Sequence, residues 1–523
     1  MVRNATSHRI FKPRLAALLA TAALGGCAVG PDFRAPAPPT EQAYLPGAGA
    51  EAGAGAEPGA SPPIAPAAPG EAGQTLAMGR PLPAEWWTSL GSPELDATVQ
   101  AALANNFTLA AARANLAKAQ QIVRAARGGL YPQVDGAGGI ERRAYGAYFL
   151  GPQAFTFPTF SAYTAGVSVS YDPDVFGGTH RRIELAAADA QVSGEALNAA
   201  KLAVSGAVVM TALEIADTRA RIAAVQDIIA SDEKTLDLVR AARRTGVASE
   251  MDVTTAQSQF DRDQALAPPL HQRLQAGEDA LAVLVGRSPA SGSAPAFDLD
   301  RMTLPGELPL AVPSELVRAR PDIRAAEARL HAASAQVGIA TADLYPRFNL
   351  SAAVAGEGLV SGPAGVAWSL VGGVTAPIFH GGSLTARRRA AEQAYQASFA
   401  DYQQTVLTSF QQVADTLHGL SNAADGLRTE RQALDSASEA LRLTRLGYGA
   451  GNAGIVQVLD AQRLQQLAQL NLIEARASRY ALTVDLFLAT GGGRPAAGRP
   501  GKLAQPPRGH SKVTTLESQI SRE

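Results

Sequence analysis

The chain has 523 residues, which is long enough for two to four domains of ordinary size. Hydrophobic residues make up 46% of it and aromatic residues only 6%, so the apolar side chains are mostly Ala, Leu and Val and favour close-packed helices. The formal net charge of −1 lacks the basic excess of nucleic-acid-binding proteins. We therefore expect no nucleic-acid partner.

The first 26 residues have the organisation of a secretory signal peptide. A basic start is followed by the apolar stretch "LAALLATAAL" (Leu15–Leu24), which is too short to span a bilayer as a mature helix. This stretch runs directly into "LGGC". Its Cys27 is the only cysteine of the chain, so no intramolecular disulfide can form.

The junction at Cys27 resembles the lipobox of bacterial lipoproteins. The resemblance implies cleavage after Gly26 and a covalent lipid on Cys27, because several acyl chains make a lasting membrane anchor. Residue 28 is Ala rather than Asp, which in the sorting pattern of lipoproteins indicates the outer membrane. The alternative is an ordinary signal peptide that happens to contain a cysteine.

Both ends of the chain beyond the signal are low in complexity. Residues 27–85, rich in Pro, Gly and Ala, are predicted to be a flexible tether, and residues 491–523 a disordered tail. Apart from the signal core we find no run of 18 or more apolar residues, so we predict no transmembrane helix. Such a chain can cross a membrane only as a closed β-barrel.

The body of the chain is interpreted as a duplication, with a first repeat over residues 86–300 and a second over residues 301–490. Three landmarks recur in the same order, at offsets of 214, 203 and 205 residues. They are "LYP" (Leu130–Pro132 and Leu344–Pro346), "FGGTHRR" with "FHGGSLTARRR" (Phe176–Arg182 and Phe379–Arg389), and "GVASEMDVTTAQ" with "GNAGIVQVLDAQ" (Gly246–Gln257 and Gly451–Gln462). The change in offset indicates about ten extra residues in the first repeat, around "YFLGPQAFTFPTF".

Each repeat has the same predicted order of elements. A helix comes first (Glu94–Gly128 and Pro313–Ala342), and two short strands follow "LYP"; in the clearest strand, "YTAGVSVSY", side chains alternate with period two. A long helix comes next, with an apolar seam that advances by four and three residues in turn, as in coiled coils. A glycine break ends it, and a shorter helix returns (Met251–Val285 and Ile455–Ala489).

The long helices and the small number of strands restrict the architecture. Residues 179–245 contain no proline, and a helix of that length extends about 100 Å. A cytosolic coiled coil would have the same seam, but the signal peptide and the four strands argue against it. Four strands cannot close a barrel, for which about eight are the practical minimum, and lipid does not tolerate open edges. The sequence therefore predicts an oligomer that pools its strands.

In these features the chain resembles the TolC-like outer-membrane efflux channels, in their lipoprotein branch (NodT-like or OprM-like). The resemblance covers residues 86–490, and its most specific signature is "SELVRARPDIRAAEARLHAASAQVGIATADLYPRFNLSA" (Ser314–Ala352). It implies a mainly α fold with a small membrane β part. A homotrimer would form a 12-stranded outer-membrane barrel, with four strands per chain, and this barrel would continue into a coiled-coil barrel of helices. The implied partners are outer-membrane lipid, a periplasmic adaptor and an inner-membrane pump of the proton-driven RND type.

The two glycine breaks would be the periplasmic tips of helical hairpins, which in this family gate the tunnel and meet the adaptor. Tyr448, Gly451 and Asp460 match the family's gate tyrosine, glycine and inner aspartate. Gln457 stands where some relatives have a second aspartate. The residues predicted to contact the adaptor are Gly246, Val247, Ala248, Ser249, Gly451, Asn452 and Gly454.

Some relatives lock the gate with an arginine that faces an aspartate of the neighbouring tip. Asp252 matches that aspartate, whereas Ala453 stands in the arginine position, which leaves the lock without its cation. The alternatives are local: Ser249 and Asp252 have the spacing of a capping box, and Asp460 could pair with Arg463 one helical turn away. In a pore, three copies of Asp460 would focus a negative potential that favours cations.

Basic residues open both long helices, at 181–182 and 387–389, and are interpreted as a solvated collar; the alternative is that they line the lumen or the membrane boundary. We find no catalytic constellation, metal-ligand spacing or phosphate-binding loop, so we predict neither an enzyme nor a cofactor. The predicted function is a passive exit duct for drug-like or toxic compounds. The alternatives are a periplasmic adaptor, a coiled-coil lipoprotein without channel activity, and an exit channel for type I protein secretion.

Overall fold

The computed structural model describes residues 28–41, 43–45, 63–65, 73–80, 82–144, 158–292 and 294–493. Three predictions concern residues outside these ranges: the signal peptide with its lipid site at Cys27, nearly all of the C-terminal tail, and most of the extra residues of the first repeat.

Nine α-helices occur in these ranges. They are α1 (Pro93–Asn105), α2 (Phe107–Gly128), α3 (Gly178–Arg244), α4 (Glu250–Gln264), α5 (Ala267–Leu284), α6 (Pro313–Ala319), α7 (Pro321–Ala342), α8 (Ser383–Gly449) and α9 (Ile455–Ala489). The order of a helix pair, two long strands, a very long helix and a return occurs twice along the chain. The prediction of a mainly helical fold is confirmed.

Seven strands accompany the helices in the part of the chain that is described. They are β1 (Pro63–Ala65), β2 (Gln74–Met78), β3 (Gln133–Arg143), β4 (Phe160–Tyr171), β5 (Glu307–Leu310), β6 (Arg347–Leu359) and β7 (Ala364–Thr375). The four long strands make one antiparallel sheet in the order β3-β4-β6-β7, so the hairpins of the two repeats lie side by side. The sequence predicted these four strands but not the second sheet, β1-β2-β5.

The two long helices have the length predicted from the proline-free stretch of residues 179–245. Helices α3 and α8 each have 67 residues, which corresponds to about 100 Å. Each begins after a glycine in the left-handed conformation, Gly177 (φ +75°) and Gly382 (φ +80°). Seam residues of α3 such as Val208, Ile215 and Ile222 are buried, because they face the neighbouring helices.

The first predicted helix, Glu94–Gly128, is broken into α1 and α2 at Asn106. The Asn106 Oδ1 accepts hydrogen bonds from the backbone N–H groups of Thr108 (2.9 Å) and Leu109 (3.2 Å). Asparagine stabilises a helix start in this way more than it stabilises a helix interior. The prediction of one continuous helix is therefore wrong, and the cause is a local cap.

Proline breaks two further helices that were predicted to be continuous. Residues 313–342 form α6 and α7, because Pro321 holds Arg320 in extended backbone (φ −71°, ψ 127°). Residues 251–285 form α4 and α5, which are separated just before the prolines at 268–269.

The largest hydrophobic core surrounds the middle of the long helices and includes the second sheet. Trp86, Leu308 and Phe487 are each at most 1% exposed in it. The prediction of a flexible tether is wrong for residues 74–78, which form β2 and pair in parallel with β5. That partner lies more than 200 residues away in the chain, so no local pattern announces the strand.

A second part of the predicted tether is also packed against the body. Residues 28–41, which we call the N-terminal strap, run beside α3 and α7. At Gly30 (φ +98°) a Cβ atom would lie 2.6 Å from the Gly338 Cα, so two glycines are needed where strap and helix cross. The composition of the strap therefore reflects close packing at this point.

Helix α3 contains a stretch that is long and apolar enough to cross a membrane by length and composition. Half of that stretch is buried inside the fold, as in the core helices of soluble proteins, so it is weak support for a membrane span. No other helix in the described ranges passes the same test.

Candidate functional site

The first tip, residues 245–250, joins α3 to α4 through a left-handed glycine. Gly246 has φ +78°, and its N–H donates to the Arg243 carbonyl oxygen at 3.0 Å. The Val247 N–H donates to the Ala242 carbonyl oxygen at 2.9 Å. This pair of hydrogen bonds satisfies the last carbonyl groups of α3 and reverses the chain.

Ser249 and Asp252 close the start of α4 in a capping box. The Asp252 carboxylate accepts from the Ser249 N–H and hydroxyl, both at 2.8 Å, and the Asp252 N–H donates to the Ser249 Oγ at 3.2 Å. The hydrogen bonds from the Ser249 backbone and hydroxyl lower the pKa of Asp252. Arg243 and Glu250 form an ion pair across the same turn. The local alternative for Asp252 is therefore present, while its role in a gate stays a prediction.

The second tip, residues 450–455, has the same backbone with fewer polar contacts. Gly451 has φ +75° and donates to the Tyr448 carbonyl oxygen at 3.0 Å, and the Asn452 N–H donates to the Gly447 carbonyl oxygen at 2.8 Å. The Gln457 side chain accepts from the Gly454 N–H, which is half of a capping box, since glycine has no side chain to complete it.

Tyr448 packs between the two hairpins rather than standing free at the tip. A hydrophobic cluster joins α3, α4, α8 and α9 just above the turns, and Tyr448 and Ala248 pack against it. We call this the tip cluster; its buried members are Leu236, Val239, Ala256, Leu441, Ile455, Val458 and Leu459. The cluster holds the two tips together within one chain.

Asp460 is on the exposed side of α9. Its side chain is 61% exposed, and its Oδ1 accepts from Arg463 Nη2 at 2.9 Å. The local pair that the spacing allowed is therefore present. The pore role of Asp460 depends on neighbouring chains and stays a prediction.

The remaining predicted contact residues surround an apolar end surface. Val247 is 79% exposed and Met251 75% exposed on the first tip, and Val456 is 57% exposed on the second. Ala453 is half-buried beside Gly447. Ser249, Asn452 and Gly454 are exposed, as contact residues must be.

At the opposite end of α3, a buried arginine holds the N-terminal strap. Arg181 Nε donates to the Val29 carbonyl oxygen (3.2 Å), and its Nη2 donates to the Gly30 carbonyl oxygen (3.3 Å) and to Asp32 Oδ1 (2.9 Å). Its side chain is only 5% exposed. The interpretation of residues 181–182 as a solvated collar is wrong for Arg181, because the strap covers it.

Three further side chains complete this clamp. Glu184 accepts from Arg181 Nη1 at 2.7 Å, and its other oxygen lies 2.8 Å from His331 Nε2. The Phe33 ring stacks on His331 with centroids 4.4 Å apart. The Val29 N–H donates to the Phe176 carbonyl oxygen at 3.1 Å, and a Cβ atom on Gly177 would lie 2.6 Å from the Ala28 Cα. The strap thus begins where the long sheet meets α3.

The two faces of the four-stranded sheet differ in polarity. One row across the sheet contains Trp368, Val354 and Val167, which oppose one another in register and share a face. The adjacent row, on the other face, runs from Ser369 to Asp135 and contains only small or polar side chains. One face is therefore suited to lipid and the other to water.

Sequence reasoning missed the strap clamp, because its partners are about 150 residues or more apart. It also missed a buried carboxylate on α3, Asp232, which meets side chains of α4 and α9. Asp232 interrupts the apolar seam, and that interruption was a usable signal. Across the described ranges, no group of three or more His, Cys, Asp or Glu side chains could hold a metal ion.

Comparison with known proteins gives one consistent assignment. The family model described as "Outer membrane efflux protein" matches residues 98–287 and 312–492. The chain is 29% identical over 490 residues to the outer membrane protein OprJ of Pseudomonas aeruginosa, covering 92% of this chain and 95% of that protein. It is 31% identical over 450 residues to the pyoverdine export outer membrane protein OpmQ of Pseudomonas putida, covering 82% and 92%.

The fold agrees with these relatives. The solved structure of the outer-membrane channel OprN aligns with a TM-score of 0.78 and 25% identity, covering 89% of this chain and 99% of that one. The family match spans both repeats and more than half of the chain. The chain therefore belongs to the outer membrane efflux protein family.

Proposed function

We propose that the protein is the outer-membrane exit channel of a tripartite efflux system. As a homotrimer it conducts small molecules, drug-like or toxic, which an inner-membrane pump and a periplasmic adaptor deliver. The observation that carries the proposal is the sheet of four long strands with two unpaired edges, continued by helices of about 100 Å. Such a sheet is incomplete as a membrane element in a single chain.

The dimensions of the strands support a membrane role. They contain 11 to 13 residues, and a tilted strand needs about 9–11 residues to cross the hydrocarbon core. The outer strands β3 and β7 are exposed along their whole lengths. Since open edges are not tolerated in lipid, β3 of one chain pairs with β7 of the next, and three chains supply twelve strands.

The apolar row through Trp368 gives a direct test of this barrel. Trp368 lies near the middle of β7, so Trp368→Arg puts a charge at the centre of the lipid face and costs about 2–4 kcal/mol in free energy of insertion. Ser369→Arg is the matched control, because Ser369 follows Trp368 in the strand and its side chain is therefore on the opposite face, towards the lumen. The measurement is the yield of heat-resistant trimer in outer membranes.

We expect Trp368→Arg to lose most of the trimer and Ser369→Arg to keep it with altered ion selectivity. Equal tolerance of both variants, or loss of trimer only in Ser369→Arg, would contradict the proposed orientation of the sheet.

A covalent lipid on Cys27 is the second part of the proposal. Ala28 touches Gly177, at the junction between the sheet and α3. Cys27 immediately precedes Ala28 in the chain. A lipid on Cys27 would therefore reach the membrane at the level where the barrel ends. Intact mass of the purified protein, compared with Cys27→Ser, tests this. A mature chain without an added lipid mass would overturn the anchor.

The two tips would form the periplasmic end of the duct. The exposed apolar residues Val247, Met251 and Val456 support an adaptor contact there, because an exposed apolar patch marks an interaction surface. Asp460 would form a ring of three carboxylates that favours cations. The pump would be of the proton-driven RND type. Deleting the gene should raise sensitivity to a panel of toxic compounds, and plasmid-borne protein should restore resistance.

A further inference from the structure

A polar cluster lies inside the coiled coil above the tip cluster. Asp232, on α3, is only 3% exposed. Its Oδ1 accepts from Gln462 Nε2 (2.5 Å) and Gln466 Nε2 (2.9 Å), both on α9. Its Oδ2 has no hydrogen-bond donor from any described residue. A buried carboxylate oxygen without a donor is costly if the group is ionised.

A second buried carboxyl group lies next to Asp232. Asp263, on α4, is 7% exposed and lies within hydrogen-bonding reach of Asp232. Its Oδ2 accepts from Gln259 Nε2 at 2.6 Å. Burial, and then the neighbouring Asp263, raise the pKa of Asp232 to about 7. Two adjoining buried carboxyl groups cannot both be ionised cheaply, and one shared proton turns repulsion into a hydrogen bond.

Two of the cations near the pair are bound to other carboxylates. On α9, Arg463 is paired with Asp460, and on α8, Arg442 is paired with Glu439 at 2.6 Å. Gln259 on α4 and Gln462 and Gln466 on α9 donate hydrogen bonds to the pair. On α3, Glu233 and Lys234 flank Asp232 in sequence. On α8, Arg442 and Arg445 line the adjoining groove. That groove, of about 680 Å³, reaches Ser231 and Gln466, which are neighbours of Asp232.

We propose that Asp232 and Asp263 share one proton at neutral pH and act as a proton-dependent latch between α3 and α4, the two helices of the first hairpin. Asp232 and Asp263 belong to the first hairpin, and Gln462 and Gln466 belong to the second. The pair lies 13 residues before the first turn, about 20 Å above the tips. When the shared proton leaves, two negative charges face each other across α3 and α4, and the contact between these two helices loosens.

The pH dependence has a defined sign. The pKa of Asp232 is higher in the fold, about 7, than its ordinary value of 3.8. Protonation therefore stabilises the folded state, fully below the ordinary value, and this contribution disappears as the pH rises through about 7. The latch is closed in mildly acidic surroundings and weakened in alkaline ones.

Infrared titration of the purified, full-length trimer tests the latch without requiring channel activity. We expect a carbonyl band of a protonated carboxyl group that disappears with a midpoint near pH 7. Asp232→Asn should remove the band, and Asp263→Asn should shift its midpoint to lower pH. Asp237→Asn is the matched control, on the same helix but 70% exposed, and should leave the band unchanged. A band absent above about pH 5, or unaffected by Asp232→Asn, would overturn the proposal.

Thermal unfolding provides a second readout. The midpoint of the native protein should fall relative to that of Asp232→Asn as the pH rises from about 5 to 8, whereas the control Asp237→Asn should follow the native protein. Parallel profiles for native protein and Asp232→Asn would contradict a shared proton. A profile that depends on divalent cations and is abolished by a chelator would also contradict it, because a bound cation would then replace the proton.

The effect on the gate rests on the proposed channel function. In planar bilayers, open events should last longer at about pH 8 than at about pH 6, and Asp232→Asn should remove this difference. Equal open times together with the infrared band would disprove the coupling to the gate. Complete lack of conductance would instead disprove the channel, and the infrared result would be unaffected.

Discussion

The two tips share one backbone and differ in how their polar groups are satisfied. Both turn through a left-handed glycine, Gly246 or Gly451, with the same pair of backbone hydrogen bonds. The first tip adds a complete capping box and the ion pair between Arg243 and Glu250. The second has only Gln457 as a cap and carries Tyr448 where the first has Arg243.

This difference indicates a division of roles between the tips. The turn itself requires only a glycine and the end of a helix, so side chains around it can vary. The polar groups of the first tip are satisfied by hydrogen bonds and an ion pair within the tip itself, so this tip is the more rigid of the two. At the second tip fewer polar groups are satisfied by local hydrogen bonds. The four predictions below test this comparison on the purified full-length protein in detergent or in planar bilayers.

The largest effect is expected at the left-handed glycines. Gly246→Ala and Gly451→Ala should each cost about 1–2 kcal/mol in free energy of unfolding, because a Cβ atom is strained at positive φ. Gly426→Ala, inside α8 with open space around it, is the control and should stabilise by about 1 kcal/mol. Denaturant titration measures all three. If Gly451→Ala left the free energy of unfolding unchanged, residue 451 would not have the left-handed backbone described for the second turn.

The next effect separates the two caps. Ser249→Ala should cost about 1 kcal/mol, because the α4 start loses a hydrogen-bond acceptor. Gly454→Ser, at the equivalent position, should gain a few tenths of a kcal/mol, because serine supplies the missing half of the box. Similar losses in both variants would mean that the tips are not capped differently.

A smaller effect is expected from restoring a cation at the second tip. Ala453→Arg should lower the open probability in bilayers by pairing with Asp252 of a neighbouring tip, even though Ser249 already engages that carboxylate. The double variant Ala453→Arg/Asp252→Ala should recover the original open probability. Effects that simply add would exclude a pairing between positions 252 and 453.

Asp460→Ala should change stability least, by about 0.2–0.5 kcal/mol, because it removes only the exposed pair with Arg463. Its effect on the pore should nevertheless be clear, as a lower preference for cations. Asp425→Ala is the matched control, since Asp425 forms the same kind of exposed pair with Arg428 on α8. Unchanged selectivity in Asp460→Ala would remove Asp460 from the pore.

Much of the architecture was predictable from local patterns. The proline-free stretch of residues 179–245, the apolar seam and the glycine breaks predicted very long helices and reversing tips, because these signals are local to the structure they specify. The helix break at Asn106 was also readable, since an asparagine before Phe107 has the form of a cap.

The contacts between distant segments were not predictable. Strand β2 pairs with β5, and the strap binds Arg181, across more than 140 residues of sequence, so composition alone suggested a loose tether. Asp232 was visible as a polar residue in an apolar seam, but its partners could not be inferred. Helix periodicity tells which face is buried and not which distant residue meets it.

The most direct test of the proposed function is single-channel recording of the purified full-length protein in planar bilayers. The expected result is discrete conductance steps with a preference for cations, which weakens in Asp460→Ala and persists in Asp425→Ala. An intact trimer that inserts into the bilayer and passes no current under any voltage would contradict the assignment of this protein as an exit channel.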